Sequence, residues 1–143
     1  MPVMPTFIVW VSTQKGTTHR QRQQVTILLI RLNATEVHVG DCIGADEEIA
    51  QLAWQEDCQV VGHPPDNPSK RAFLDYDEER PVAPYLVRNR HIVNETGALI
   101  ATPAEQVGEE LRSGTWATVR HARKMGKPIY VVRPDGTVEK ENV

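Results

Sequence analysis

The chain has 143 residues, 40% of them hydrophobic and 24% charged, with a formal net charge of −3. This is the composition of one soluble globular domain with a sizeable core, expected here to run over 1–143. The acidic balance argues against broad nucleic-acid binding, which needs a net basic surface. The two cysteines, Cys42 and Cys58, make no metal spacing with each other or with His38 and His63. Neither a metal nor a cofactor is therefore expected, and a reduced, cytoplasmic setting is the default.

Phe7 to Val11 is a short apolar run, read as a buried strand and too short to span a membrane. No basic leader precedes it, so neither a signal peptide nor a membrane partner is expected. Ser12 to Thr18 is polar and contains a glycine, which marks a loop. Arg20 to Leu32 places Val25, Leu28, Leu29 and Leu32 at helical spacing. Glu36 to Val39 is a second strand ending at Gly40. Asp46 to Asp57 is a helix with Ile49, Leu52 and Ala53 on one face, and Asp46 suits its cap. Gln59 to Gly62 is a third strand.

Between His63 and Pro84 stand Pro64, Pro65, Pro68, Pro81 and Pro84. Proline removes a backbone donor and stops helices and strands alike. A segment this long without regular structure reads as a lid or a wall of a site. Tyr85 to Asn94 then reads as a helix with Pro84 at its start. Ala98 to Ala101 is a fourth strand, and 102–113 a second long loop. Thr115 to Met125 is a helix stopped by Gly126. Pro128 to Val132 is a fifth strand. Pro134-Asp135-Gly136 is a turn, after which the tail can add an edge strand.

Strands alternating with helices imply right-handed crossovers. The expected fold is α/β: Rossmann-like, three-layered, with a mostly parallel sheet of about five strands. Ligands of such sheets bind at the carboxyl ends of the strands. Ser12 and Thr13, Gly40 and Asp41, Thr102 and Pro103, and the loop before Gly114 all fall at that edge.

Two glycine-containing loops carry the functional reading. In Leu111-Arg112-Ser113-Gly114-Thr115-Trp116, glycine opens a helix whose free N–H groups favour an anion. Ser113, Gly114 and Thr115 are thus candidate phosphate ligands, although Ser113 or Thr115 also suits a helix cap. In Val39-Gly40-Asp41-Cys42-Ile43-Gly44-Ala45-Asp46, Gly40 and Gly44 let the backbone approach a ligand, and Asp41 suits a ribose. Arg88 can grip a phosphate in bidentate fashion, with Asn89 beside it and Lys70 and Arg71 available from the long loop. The basic run Arg120 to Lys124 complements the C-terminal dipole of its helix.

With these residues assembled, the chain resembles the SLOG superfamily, which includes the Lonely Guy phosphoribohydrolases, the DNA-processing protein Smf/DprA and small YpsA-related proteins. The resemblance is closest to the last set. It rests on 39–46, His63-Pro64-Pro65, 84–90, 112–118 and Gly126-Lys127-Pro128. It implies a Rossmann-like domain that binds a nucleotide or nucleotide-derived ligand as a sensor or accessory module. Two departures matter. The phosphoribohydrolases carry a GGxGTxxE pattern whose glutamate takes part in hydrolysis; Thr118 occupies that position here. The first loop of related small proteins reads Gly-Thr-Arg or Gly-Ser-Arg, where this chain has Ser12-Thr13-Gln14, leaving Lys15 or Arg20 to supply a cation.

A nucleotide N-glycosidase is the alternative, with Asp41 and Glu110 as the candidate acid/base carboxylates. Single-stranded DNA binding ranks third. A homo-oligomer is compatible with the chain.

Overall fold

A computed structural model of the chain describes residues 7–11, by their backbone, together with 16–111 and 113–143. Its elements, in order, are β1 (Phe7–Val11), α1 (His19–Arg31), β2 (Glu36–Val39), α2 (Ala45–Gln55), β3 (Gln59–Gly62), β4 (Glu78–Glu79), α3 (Tyr85–Glu95), β5 (Ala98–Thr102), α4 (Gly114–Lys124), β6 (Ile129–Val132) and β7 (Val138–Glu141). The strands form one sheet in the order β4-β3-β2-β1-β5-β6-β7. Only the β6–β7 pairing is antiparallel. The sheet thus has seven strands rather than about five. The two additions are β4, a two-residue strand inside the proline-rich segment, and β7, the returning tail.

Burial alternates with the pleat. Ala98 and Ile100 of β5, with Tyr130 and Val132 of β6, pack against α1 and α2. Leu99, Ala101, Ile129 and Val131 point to the other face and pack with Ile92, Val93, Trp116 and Val119 of α3 and α4. Two apolar faces on one strand explain why β5 and β6 read as continuous hydrophobic runs. The result is three layers, with helices on both sides of the sheet.

The chain winds from β1 through β2 to β3 on one side, then returns to place β5 on the other side of β1. The β1–β5 junction is therefore a topological switch point, where the loops leaving the carboxyl ends part and open a crevice. Val11 pairs with Thr102 at that end of the junction.

Local chemistry sets the helix starts. Thr18 and Gln21 form a capping box, Thr18 Oγ1 accepting from Gln21 N at 3.1 Å and Gln21 Oε1 accepting from Thr18 N at 2.9 Å. The same buried Gln21 donates Nε2 to Pro103 O and Val132 O at 2.8 and 2.9 Å. It thereby ties α1 to the ends of β5 and β6. No helix among the described residues is long and apolar enough to cross a membrane.

Candidate functional site

The carboxyl edge of the sheet gathers the starts of α1, α2, α3 and α4; α3 begins after Pro84 with no side-chain cap, its Tyr85 reaching the start of α4. Each offers N–H groups that need an acceptor. Side chains fill two of them. At α1, Glu48 Oε1 accepts from Thr17 N at 2.6 Å and Thr17 Oγ1 at 2.9 Å, while Arg22 holds the other Glu48 oxygen at 3.2 Å. At α2, Glu47 Oε1 accepts from Gly44 N at 3.1 Å. The N-cap there is Gly44, not Asp46.

Among the described residues the start of α4 is only loosely satisfied. Ser113 is its N-cap, and its hydroxyl accepts from Trp116 N at a long 3.4 Å. The Thr115 hydroxyl is buried with no hydrogen-bond partner among the described residues. The Tyr85 ring lies over this turn: a Cβ added at Gly114 would stand 2.6 Å from Tyr85 Cε1. Only glycine permits that approach.

Behind this turn lies a charged, buried layer. Arg88, 1% exposed, sits under the Tyr85 ring at 4.7 Å from its centroid. Its Nη1 donates to Gly40 O and, at 3.0 Å, to His63 O; its Nε donates to Asn89 Oδ1 at 2.7 Å. Expected as a phosphate ligand, Arg88 instead ties α3 to the ends of β2 and β3. Gly40 leaves room for it, since a Cβ there would lie 2.7 Å from Arg88 Nη1 and 2.9 Å from Asp46 Oδ2. Asp46 accepts from Cys42 N at 3.0 Å through Oδ2, while its Oδ1 is buried without a partner among the described residues. Burial pushes the Asp46 carboxyl up to about 6, against the opposing pull of Arg88. Burial likewise lifts the Cys42 thiol to about 11, so it stays protonated near neutral pH.

Asp41 also differs from expectation. Its backbone is left-handed at φ 56° and its side chain is fully buried. Oδ2 accepts from Arg71 Nε at 2.5 Å; Oδ1 accepts from Tyr76 OH at 2.5 Å and Phe73 N at 3.0 Å. Three donors from the proline-rich segment thus consume the carboxylate expected to face a ribose. Asp41 thus anchors the segment against the end of β2.

Asn89 lines a different space, a cavity of about 660 Å³ between α3 and α4 that Thr118, Arg90 and Arg120 also line. Its Nδ2 is buried and unpartnered among the described residues. Thr118 is buried and donates its hydroxyl to Gly114 O at 3.0 Å. Of the glutamates before α4, Glu105 accepts from Trp116 Nε1 at 2.8 Å, Glu109 pairs with Arg123, and Glu110 is exposed. Ser12, Thr13, Gln14, Lys15 and Arg112 lie outside the described residues.

One cluster escaped the sequence reading. His38 of β2 and His63, just after β3, bring ring nitrogens within 2.8 Å, with Glu95 of α3 beside them. Their spacing along the chain carries no signal. The available clue was a histidine near the carboxyl end of one strand, His38, and another just past the end of its parallel neighbour, His63.

No protein-family model matches the sequence, and comparison with curated proteins gives no match. Several solved structures are similar. The structure of a molybdenum cofactor binding protein from the phototrophic bacterium Rippkaea orientalis has a TM-score of 0.70 at 20% identity, over 93% of this chain and 78% of that one. The X-ray structure of TM1055, a structural-genomics target, has a TM-score of 0.60 at 19% identity, over 87% and 72%. DNA processing protein A (DprA) from Streptococcus pneumoniae has a TM-score of 0.64 at 16% identity, over 88% of this chain but 50% of its own. What these proteins share with the chain is the fold, and with DprA among them it is the fold of the group that the sequence resembles.

Proposed function

We propose that the chain binds a nucleotide or nucleotide-derived ligand at the carboxyl edge of its sheet, as a sensor or accessory module. The ligand's phosphate would sit on the N-terminus of α4. One observation carries this reading: among the described residues no carboxylate fills the start of α4, its Ser113 cap is long, and the buried Thr115 hydroxyl there has no partner. A small anion there gains the aligned N–H groups of the first turn and the waiting Thr115 hydroxyl. A similar structure of a protein described as binding a cofactor supports a small-molecule ligand for this fold.

Hydrolysis is the weaker reading. Thr118 cannot serve as a carboxylate acid or base, and its hydroxyl is already committed to Gly114 O.

The test is calorimetric titration of AMP into wild type and Gly114→Val, with circular dichroism to check the fold. The valine side chain meets Tyr85 and fills the approach to the helix start. Binding lost in a folded variant is the expected result. Unchanged affinity would remove the phosphate from this turn.

A further inference from the structure

His38 alternates with Val37 and Val39, whose side chains join the core under α1 and α2, so its ring leaves the sheet on the α3 side. His63 donates its backbone N–H to Val39 O at 2.8 Å, which sets it beside the end of β2. The two rings tilt by 34° with centroids 5.0 Å apart, and both residues are buried. Glu95, in the last turn of α3, brings a carboxylate to the same place. One oxygen and two ring nitrogens there lie within 4.8 Å of one another.

We propose that His38 Nδ1, His63 Nε2 and the Glu95 carboxylate form a binding site for a divalent transition metal of the zinc class. Two imidazoles and one carboxylate are a donor set that zinc takes when it keeps a further position open. Glu36 Oε1 stands 3.4 Å from His38 Nε2. A hydrogen bond there fixes the tautomer whose Nδ1 lone pair faces the metal, the usual carboxylate–histidine arrangement around such ions. Without metal, a single proton bridges the two nitrogens at 2.8 Å. A tetrahedral ion with bonds of about 2.0–2.1 Å needs the nitrogens about 3.3 Å apart. Replacing the proton thus moves the rings by only about half an ångström.

Burial keeps both rings neutral, the form in which imidazole ligates a metal. Glu36 and Glu95 stand beside His38, while two guanidiniums are near: Arg80, paired with Glu95 and Glu78, and Arg88, whose Nη1 is committed to Gly40 O and His63 O. Arg80 now holds Glu95 at 2.8 Å, yet it also holds Glu78 at 2.5 Å. Turning Glu95 toward the metal therefore leaves Arg80 paired. This site stands apart from the start of α4 and does not depend on the nucleotide reading.

The test uses the full, untagged chain, stripped with a chelator and titrated with cobalt(II), read by visible absorption, and with zinc(II), read by calorimetry. One equivalent of each is expected, with the intense ligand-field bands of a four-coordinate cobalt site. Glu95→Gln alters an exposed side chain and should weaken zinc binding about tenfold or more, and Glu36→Gln about 10–100-fold. Arg80→Gln should strengthen it, because Glu95 loses its competitor. His121→Ala, away from the cluster beside Asn94, should change nothing. His63→Gln should abolish binding, and should it fail to fold, Glu95→Gln and Arg80→Gln still decide the matter. Absence of saturable binding to wild type would overturn the site. So would affinity that is unmoved by Glu95→Gln or that disappears with His121→Ala.

Discussion

Asp46 offers a quantitative check on the buried layer. Its carboxyl is raised from an ordinary 3.8 to about 6, chiefly by burial. Between those values the native state binds more protons than the unfolded chain. Stability is thus fully present below pH 3.8 and is lost as pH rises through 6. A shift of about two units corresponds to about 3 kcal/mol, of which about 2–3 kcal/mol falls between pH 4 and pH 7. In Asp46→Asn the side chain no longer titrates, yet it can still accept from Cys42 N. Removing the charge beside Arg88 alters stability by an offset of its own, but that offset does not vary with pH. The measurement is urea unfolding of both proteins at half-unit steps from pH 4 to pH 7.5. The difference in unfolding free energy, wild type minus variant, should fall by about 2–3 kcal/mol on going up that range and flatten above pH 6.5. Parallel pH profiles would show that Asp46 is ionised at ordinary acidity and that the layer is wetter than its burial implies.

Arg88→Ala strands two backbone carbonyls and a buried carboxylate. It should cost about 3–5 kcal/mol in urea unfolding, whereas the exposed Lys124→Ala should stay within about 0.5 kcal/mol; equal effects would mean that Arg88 does not tie the layer together. Gly62→Ala places a Cβ 2.4 Å from Tyr76 Cδ2 and should cost about 1–3 kcal/mol. That cost should shrink in a Tyr76→Ala background, as a double-mutant cycle would reveal. Wild-type protein incubated with AMP should release no free adenine by chromatography; release that vanished in Glu110→Gln would restore the glycosidase reading, with its carboxylate relocated.

The layered fold was legible because burial follows the chain's own periodicity. Gln59–Gly62 matches its expected bounds, and the helix beginning at Gly114 starts one residue before the expected Thr115. Glycine at that start and Gly126 at its end are local signals, independent of the remaining chain. What stayed hidden depends on partners distant in sequence. Asp41 looks available until Arg71, Phe73 and Tyr76 fold over it. Arg88 looks like a surface cation until the carbonyls of Gly40 and His63 converge on it. The histidine pair arises only from the register of β2 on β3. Charge and polarity say what a side chain can bind, but tertiary pairing decides what it does bind.

The borders of the sheet have a consequence for how copies of this chain can meet. One border is β4, two residues long, with Glu78 and Glu79 both exposed. The other is β7, where exposed Glu139 and Lys140 line the open side of the hairpin with β6. A foreign strand seeking to extend the ladder finds too few free amides at one border and a row of ionic groups at the other. Growth along the sheet is thereby blocked, and runaway cross-β stacking of the native chain is disfavoured.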